Sequence, residues 1–76
     1  MSFVIRKYLS DIPLNEIGSN KFIETYKEFE IYSFWNPIGH ELYERIYFYV
    51  SPINSYDKAT TLKDIKEKIY NIYEKL

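Results

Sequence analysis

The sequence predicts an α+β fold of β-β-β-α order: a small three-stranded antiparallel sheet with one C-terminal helix packed on one face. Three observations predict it. Apolar residues recur at helical spacing near the C-terminus, two central runs alternate with a period of two, and a short stretch rich in turn formers joins those runs.

The opening segment SFVIRKYL has the β-branched and aromatic content of a strand, with Phe3, Ile5 and Leu9 in one phase. Val4, Tyr8 and Ile12 also fit a helical spacing, and the strand is the preferred reading. SDIPLNEIGSN follows as a loop, punctuated by Pro13 and Gly18.

The first central run, YKEFEIYSFW, places Phe29, Ile31, Ser33 and Trp35 in one phase and Glu28, Glu30, Tyr32 and Phe34 in the other. The second, ELYERIYFYV, sets Leu42, Ile46, Phe48 and Val50 against Tyr43, Arg45, Tyr47 and Tyr49. Between them NPIGHE carries Asn, Pro and Gly, and so short a connection implies an antiparallel hairpin. Pairing Trp35 with Leu42 fixes the expected register. Ser33 then faces Glu44, Ile31 faces Ile46 and Phe29 faces Phe48 on the core side. On the outer side Phe34 meets Tyr43, Tyr32 meets Arg45, Glu30 meets Tyr47 and Glu28 meets Tyr49.

SPINSYDKA links the hairpin to the helix, with Pro52 ending the strand. The helix is expected over roughly residues 60–75. Leu62, Ile65, Ile69, Ile72 and Leu76 form its apolar stripe, joined by Tyr73 and flanked by Tyr70. Thr61, followed by Asp64, is its expected cap, and Asp64 and Lys68 form a favourable pair one turn apart.

The 76 residues are read as a single domain, 1–76. Without cysteine there is no disulfide framework, thiolate zinc site or cysteine nucleophile, and one histidine builds no metal cluster. No apolar run is long enough for a membrane span, and the start lacks the features of a signal peptide. A cytoplasmic location is expected, in a host cell if the chain is viral. Ten Lys and Arg against eleven Asp and Glu leave no field to gather a polyanion. Eleven Ile, nine Tyr and eight Lys against one Ala and no Gln point to AT-rich coding.

Catalysis needs paired groups held in a pocket that excludes water. Glu28, Glu30 and Glu44 lie close in the expected hairpin, but Glu44 is in the opposite phase and an exposed sheet face is not a cleft; His40 sits in a turn. There is no phosphate loop, nucleophile elbow or metal-ligand spacing. No catalytic residue, metal site or cofactor is expected, and the chain is read as a non-enzyme.

The expected binding site is the outer face: Tyr32, Phe34, Tyr43, Arg45, Tyr47 and Tyr49. The blander alternatives are that these pairs only stabilise the sheet, or that the N-terminal segment covers them. Tyr and Arg are enriched where partners dock, and an exposed aromatic patch usually marks an interaction. Glu24, Glu28, Glu30, Glu41 and Glu44 outnumber Lys21, Lys27 and Arg45 nearby, so a protein partner with a basic surface suits it better than nucleic acid. The leading expectation is a protein that acts by occluding a partner. Size and AT-rich usage are those of many proteins of viruses and mobile elements, inhibitors such as anti-CRISPR proteins among them. A nucleic-acid-binding β-β-β-α domain and a homodimeric structural protein are the alternatives.

Overall fold

A computed structural model describes residues 4–51 and 56–75. Phe3, Pro52 and Leu76, given roles above, lie outside the described residues.

The helix, α1, runs Leu62–Tyr73. Thr61 caps it: its extended backbone opens the first turn, and its Oγ1 accepts a hydrogen bond from the Asp64 amide at 3.2 Å. Of the expected stripe, Ile65 and Ile69 are fully buried and Leu62 and Ile72 pack at their margin, whereas Tyr73 stays exposed at the end of the helix. Burial of each isoleucine contributes about 1.5–3 kcal/mol. Lys68 does not close on Asp64 as expected; it reaches Asp57, ahead of the helix, at 2.9 Å.

Among the described residues the sheet has five antiparallel strands, two more than expected: β1 Arg6–Tyr8, β2 Lys21–Tyr26, β3 Phe29–Gly39, β4 Leu42–Val50 and β5 Lys58–Ala59. Their order is β1-β4-β3-β2, and β5 shares with β1 the edge of β4 that β3 leaves free. The opening segment is thus a strand, though only over Arg6–Tyr8. Two single-turn 3-10 helices, Leu9–Asp11 and Leu14–Glu16, follow in the expected loop and bury Ile12.

The central hairpin forms, but its register differs by three residues from the expected one. Trp35 pairs with Arg45, Ser33 with Tyr47 and Ile31 with Tyr49. The cause is the turn. Asn36 and Pro37 continue β3, the ladder shifts between Pro37 and Gly39, and only His40 and Glu41 form the loop. Pro37 is tolerated because β2 reaches along β3 only as far as Ser33, so that stretch has a partner on one side alone. A shift by an odd number turns one strand over. β3 keeps Phe29, Ile31, Ser33 and Trp35 inward; β4 presents Tyr47 and Tyr49 to the core in place of Ile46 and Phe48.

The inner face is covered in two halves. Under α1, Phe29, Ile31, Tyr47 and Tyr49 pack with Ile65 and Ile69. Beyond the helix the loop from Leu9 to Asn20 takes over, where the Glu16 carboxylate lies beside Trp35 and Arg45. The other face of the sheet carries half-buried or exposed side chains only: in β3 every second residue from Glu30 escapes burial, and in β4 the same holds for Glu44, Ile46, Phe48 and Val50.

Candidate functional site

The open face is built by alternation. Tyr32 and Phe34 point to it from β3, and their cross-strand partners Phe48 and Ile46 do so from β4. Phe22 is paired with Tyr32 from β2, and Tyr56 closes the far side against Phe48. Five rings therefore form one continuous array. Tyr32 stacks on Phe48 with centroids 5.6 Å apart and planes 17° from parallel. Phe22 meets Tyr32 edge-on at 5.6 Å, Phe34 lies 5.9 Å from Phe48, and Tyr56 lies 6.3 Å from it. Phe48 is the centre, with three ring neighbours among the described residues. Such pairs stabilise a sheet by about 0.5–1.5 kcal/mol each, yet Phe22, Val50 and Tyr56 remain 51, 48 and 66% exposed.

Charges on this face balance. Arg6 stands opposite Glu44 and forms an ion pair with it at 2.9 Å. Glu30 accepts a 3.4 Å hydrogen bond from the Tyr32 hydroxyl, and Lys58 lies opposite Phe48 on β5. The Tyr32 hydroxyl is held above its ordinary pKa, first because neighbouring groups remove it from water and then because the Glu30 carboxylate disfavours a phenolate. The expected acidic rim is divided: Glu24 is paired with Lys66 at 2.7 Å and Glu44 with Arg6, while Glu28 and Glu41 occupy turns.

Of the six residues expected here, Tyr32 and Phe34 are on the open face. Tyr47 and Tyr49 are 7 and 1% exposed in the core under α1. Arg45 lies 4.8 Å over the Trp35 ring and 3.6 Å from Glu16, in a cleft of about 320 Å³ that Asn15, Ser19, Asn20 and Lys21 also line. Tyr43 is half-buried on the same side, opposite Pro37 and Lys7. The three-residue register difference moves all four together. It brings Phe48 and Ile46 into the site instead, and the unforeseen strand β2 adds Phe22. The signal for Phe48 was present in sequence, since both phases of ELYERIYFYV are apolar enough to face a core.

Among the described residues no group of acidic, histidine or cysteine side chains is placed to hold a metal ion. No helix among them is long and apolar enough to cross a membrane. No family model, curated protein or solved structure matches this chain.

Proposed function

We propose that the protein is a non-enzymatic binding module that lays the open sheet face against a protein surface and acts by covering it. The observation that carries this reading is the partly exposed five-ring array centred on Phe48. Apolar patches of this extent on small proteins mark interaction surfaces, and aromatic rings supply large rigid area at little entropic cost. Covering a partner is the mode of an occluding inhibitor, the use that the chain's size and AT-rich composition fit.

Exposed rings on a sheet also stack unpaired bases, but such sites join the rings to a surplus of cations that tracks the phosphates. Here Arg6 is consumed by Glu44, and Glu30 offsets Lys58. A protein surface fits better.

The test is capture by tagged wild type against Phe48→Glu, with Tyr70→Glu on the helix as a control away from the face. Loss of the captured protein with Phe48→Glu alone supports the reading. Equal recovery by all three proteins overturns it. Salt-sensitive binding of single-stranded oligonucleotides that disappears with Phe48→Glu would put nucleic acid in the partner's place.

A further inference from the structure

We infer that the cleft between the Leu9–Asn20 loop and the inner face of β3 and β4 is a binding site for a small organic carboxylate that also carries hydroxyl or amide groups. It lies on the helix-bearing side of the sheet, opposite the ring array, and does not depend on the docking reading above.

Cross-strand pairing builds the floor. Trp35 stands opposite Arg45, and Lys21 opposite Ser33, so all four side chains leave the sheet on its inner side. The loop supplies the wall. Gly18, with φ of 75°, and the Ser19 hydroxyl, which donates to the Asn15 carbonyl at 2.8 Å, fold it back so that Asn15, Glu16 and Asn20 line the same space of about 320 Å³.

Arg45 supplies what recognises an anion. Its guanidinium lies 4.8 Å over the Trp35 ring, and its Nε is cut off from water without an acceptor among the described residues. Glu16 faces Nη2 at 3.6 Å, longer than a well-formed hydrogen bond, while its Oε1 accepts from the indole N–H at 3.2 Å. Covered guanidinium groups are ordinarily met by acceptors, and this shortfall marks where a ligand's oxygens belong. Lys21, which has no carboxylate partner among the described residues, brings a second cation to the cleft. Two cations against the Glu16 carboxylate leave one positive charge in excess, which one further carboxylate neutralises.

Size and wall chemistry define the rest of the ligand. A space of about 320 Å³ is at the lower end of small-molecule sites. Guanidinium donors match the planar fork of a carboxylate, and the Asn15 and Asn20 amides can each donate and accept, as hydroxyl or amide groups on the ligand require.

Trp35 is the chain's one tryptophan, so its fluorescence reports on this cleft alone. Titration with sodium gluconate, at ionic strength held constant with sodium chloride, is expected to give a saturable change with Kd on the order of 1 mM. Acetate, which cannot reach the amide wall, and inorganic phosphate should each bind about tenfold more weakly or worse. Arg45→Lys keeps the charge but loses the fork, and should weaken gluconate by about tenfold or more. Lys21→Gln should weaken it about threefold, while Lys63→Gln, the same charge change on the exposed side of α1, should leave it within about 1.5-fold. Glu16→Gln keeps an acceptor for the indole and removes the competing charge, so it should strengthen binding about threefold. Circular dichroism checks that each variant is folded; should Arg45→Lys fail to fold, Lys21→Gln and Glu16→Gln carry the test through their opposite signs.

A gluconate titration indistinguishable from one with chloride overturns the inference. So does gluconate binding whose affinity is the same in wild type, Lys21→Gln and Glu16→Gln. Phosphate that binds as tightly as gluconate overturns the assignment to a carboxylate.

Discussion

The indole of Trp35 donates to Oε1 of Glu16 at 3.2 Å, and the same oxygen lies 3.6 Å from Nη2 of Arg45. One carboxylate thus ties the loop ahead of β2 to the inner face of β3 and β4, beyond the reach of α1. Arg45 also stacks over the Trp35 ring, so the guanidinium is held by a plane on one side and a charge on another.

Glu16→Ala is therefore expected to cost about 1–3 kcal/mol, because it leaves an indole N–H and a largely covered guanidinium without their acceptor. Glu16→Gln keeps an acceptor for the indole and should lose about half as much. Urea midpoints of the three proteins check this. A loss under about 0.5 kcal/mol in both variants would show that the loop is held by burial of Ile12 instead.

Legibility in the sequence varied with how many signals agreed. For α1, the stripe, the Thr61 cap and the helical spacing all pointed the same way, and the helix lies where they placed it. In β3 the contrast between Phe29, Ile31 and Trp35 and the intervening Glu30 fixed the inward phase. β4 had no such contrast. Tyr47 and Tyr49 are large enough to fill a core, and Ile46 and Phe48 are apolar enough to do so; the choice falls to the turn, where Pro37 and Gly39 are turn formers by type but extend the strand. β2 went unseen because its turn uses Lys27 and Glu28, neither of which is a turn former. The sequence predicts a sheet face turned away from the helix, but four of the six residues expected on it, Tyr43, Arg45, Tyr47 and Tyr49, lie on the other side of β4.

That unexpected turn predicts a stabilising substitution. Lys27 and Glu28 have φ of 49° and 70°, the left-handed pair that a two-residue hairpin loop of type I′ demands. A residue with a Cβ costs about 1–2 kcal/mol there, and glycine gives back part of the gain through its freer unfolded chain. Glu28 is exposed, so Glu28→Gly should stabilise by about 0.5–1 kcal/mol. For a domain of this size that raises Tm by about 2–8 °C. An unchanged or lower Tm in a thermal melt would refute the strain.

Lys27 has a second role. Its Nζ lies 4.8 Å from the centroid of Tyr73 and 5.5 Å from those of Tyr26 and Tyr70, so the turn reaches across to the last turns of α1. Lys27→Met keeps the apolar stem and removes the charge. It should lose about 0.5–1 kcal/mol, and Tyr73→Leu should lose a similar amount. In the double variant the losses should fall short of their sum, as they must if both remove one interaction. Strict additivity in chemical denaturation would mean that charge and ring do not interact.

The Asp57 and Lys68 pair predicts how stability responds to pH. Asp57 accepts from Lys68 Nζ at 2.9 Å and from the Lys58 amide at 2.8 Å. These hold its carboxyl below the ordinary range, the Lys68 bond most of all, while the Asp57 bond holds the Lys68 ammonium above its own. For Asp57 the folded value is depressed, so its contribution is complete above the unfolded value of about 3.9 and disappears as pH falls through the folded one. For Lys68 the folded value is raised, so its contribution is complete below about 10.4 and disappears as pH rises through the folded one. Both side chains are a little under half exposed, which keeps the effect small and sensitive to salt. The difference in urea midpoint between wild type and Asp57→Asn should therefore be constant from about pH 5 to 9 and shrink below about pH 4. Against Lys68→Met it should shrink above about pH 10.4, and added salt should narrow both gaps at neutral pH. An Asp57→Asn gap that kept its size at about pH 2 would assign the loss to something other than the carboxylate's charge, such as packing of the segment ahead of α1.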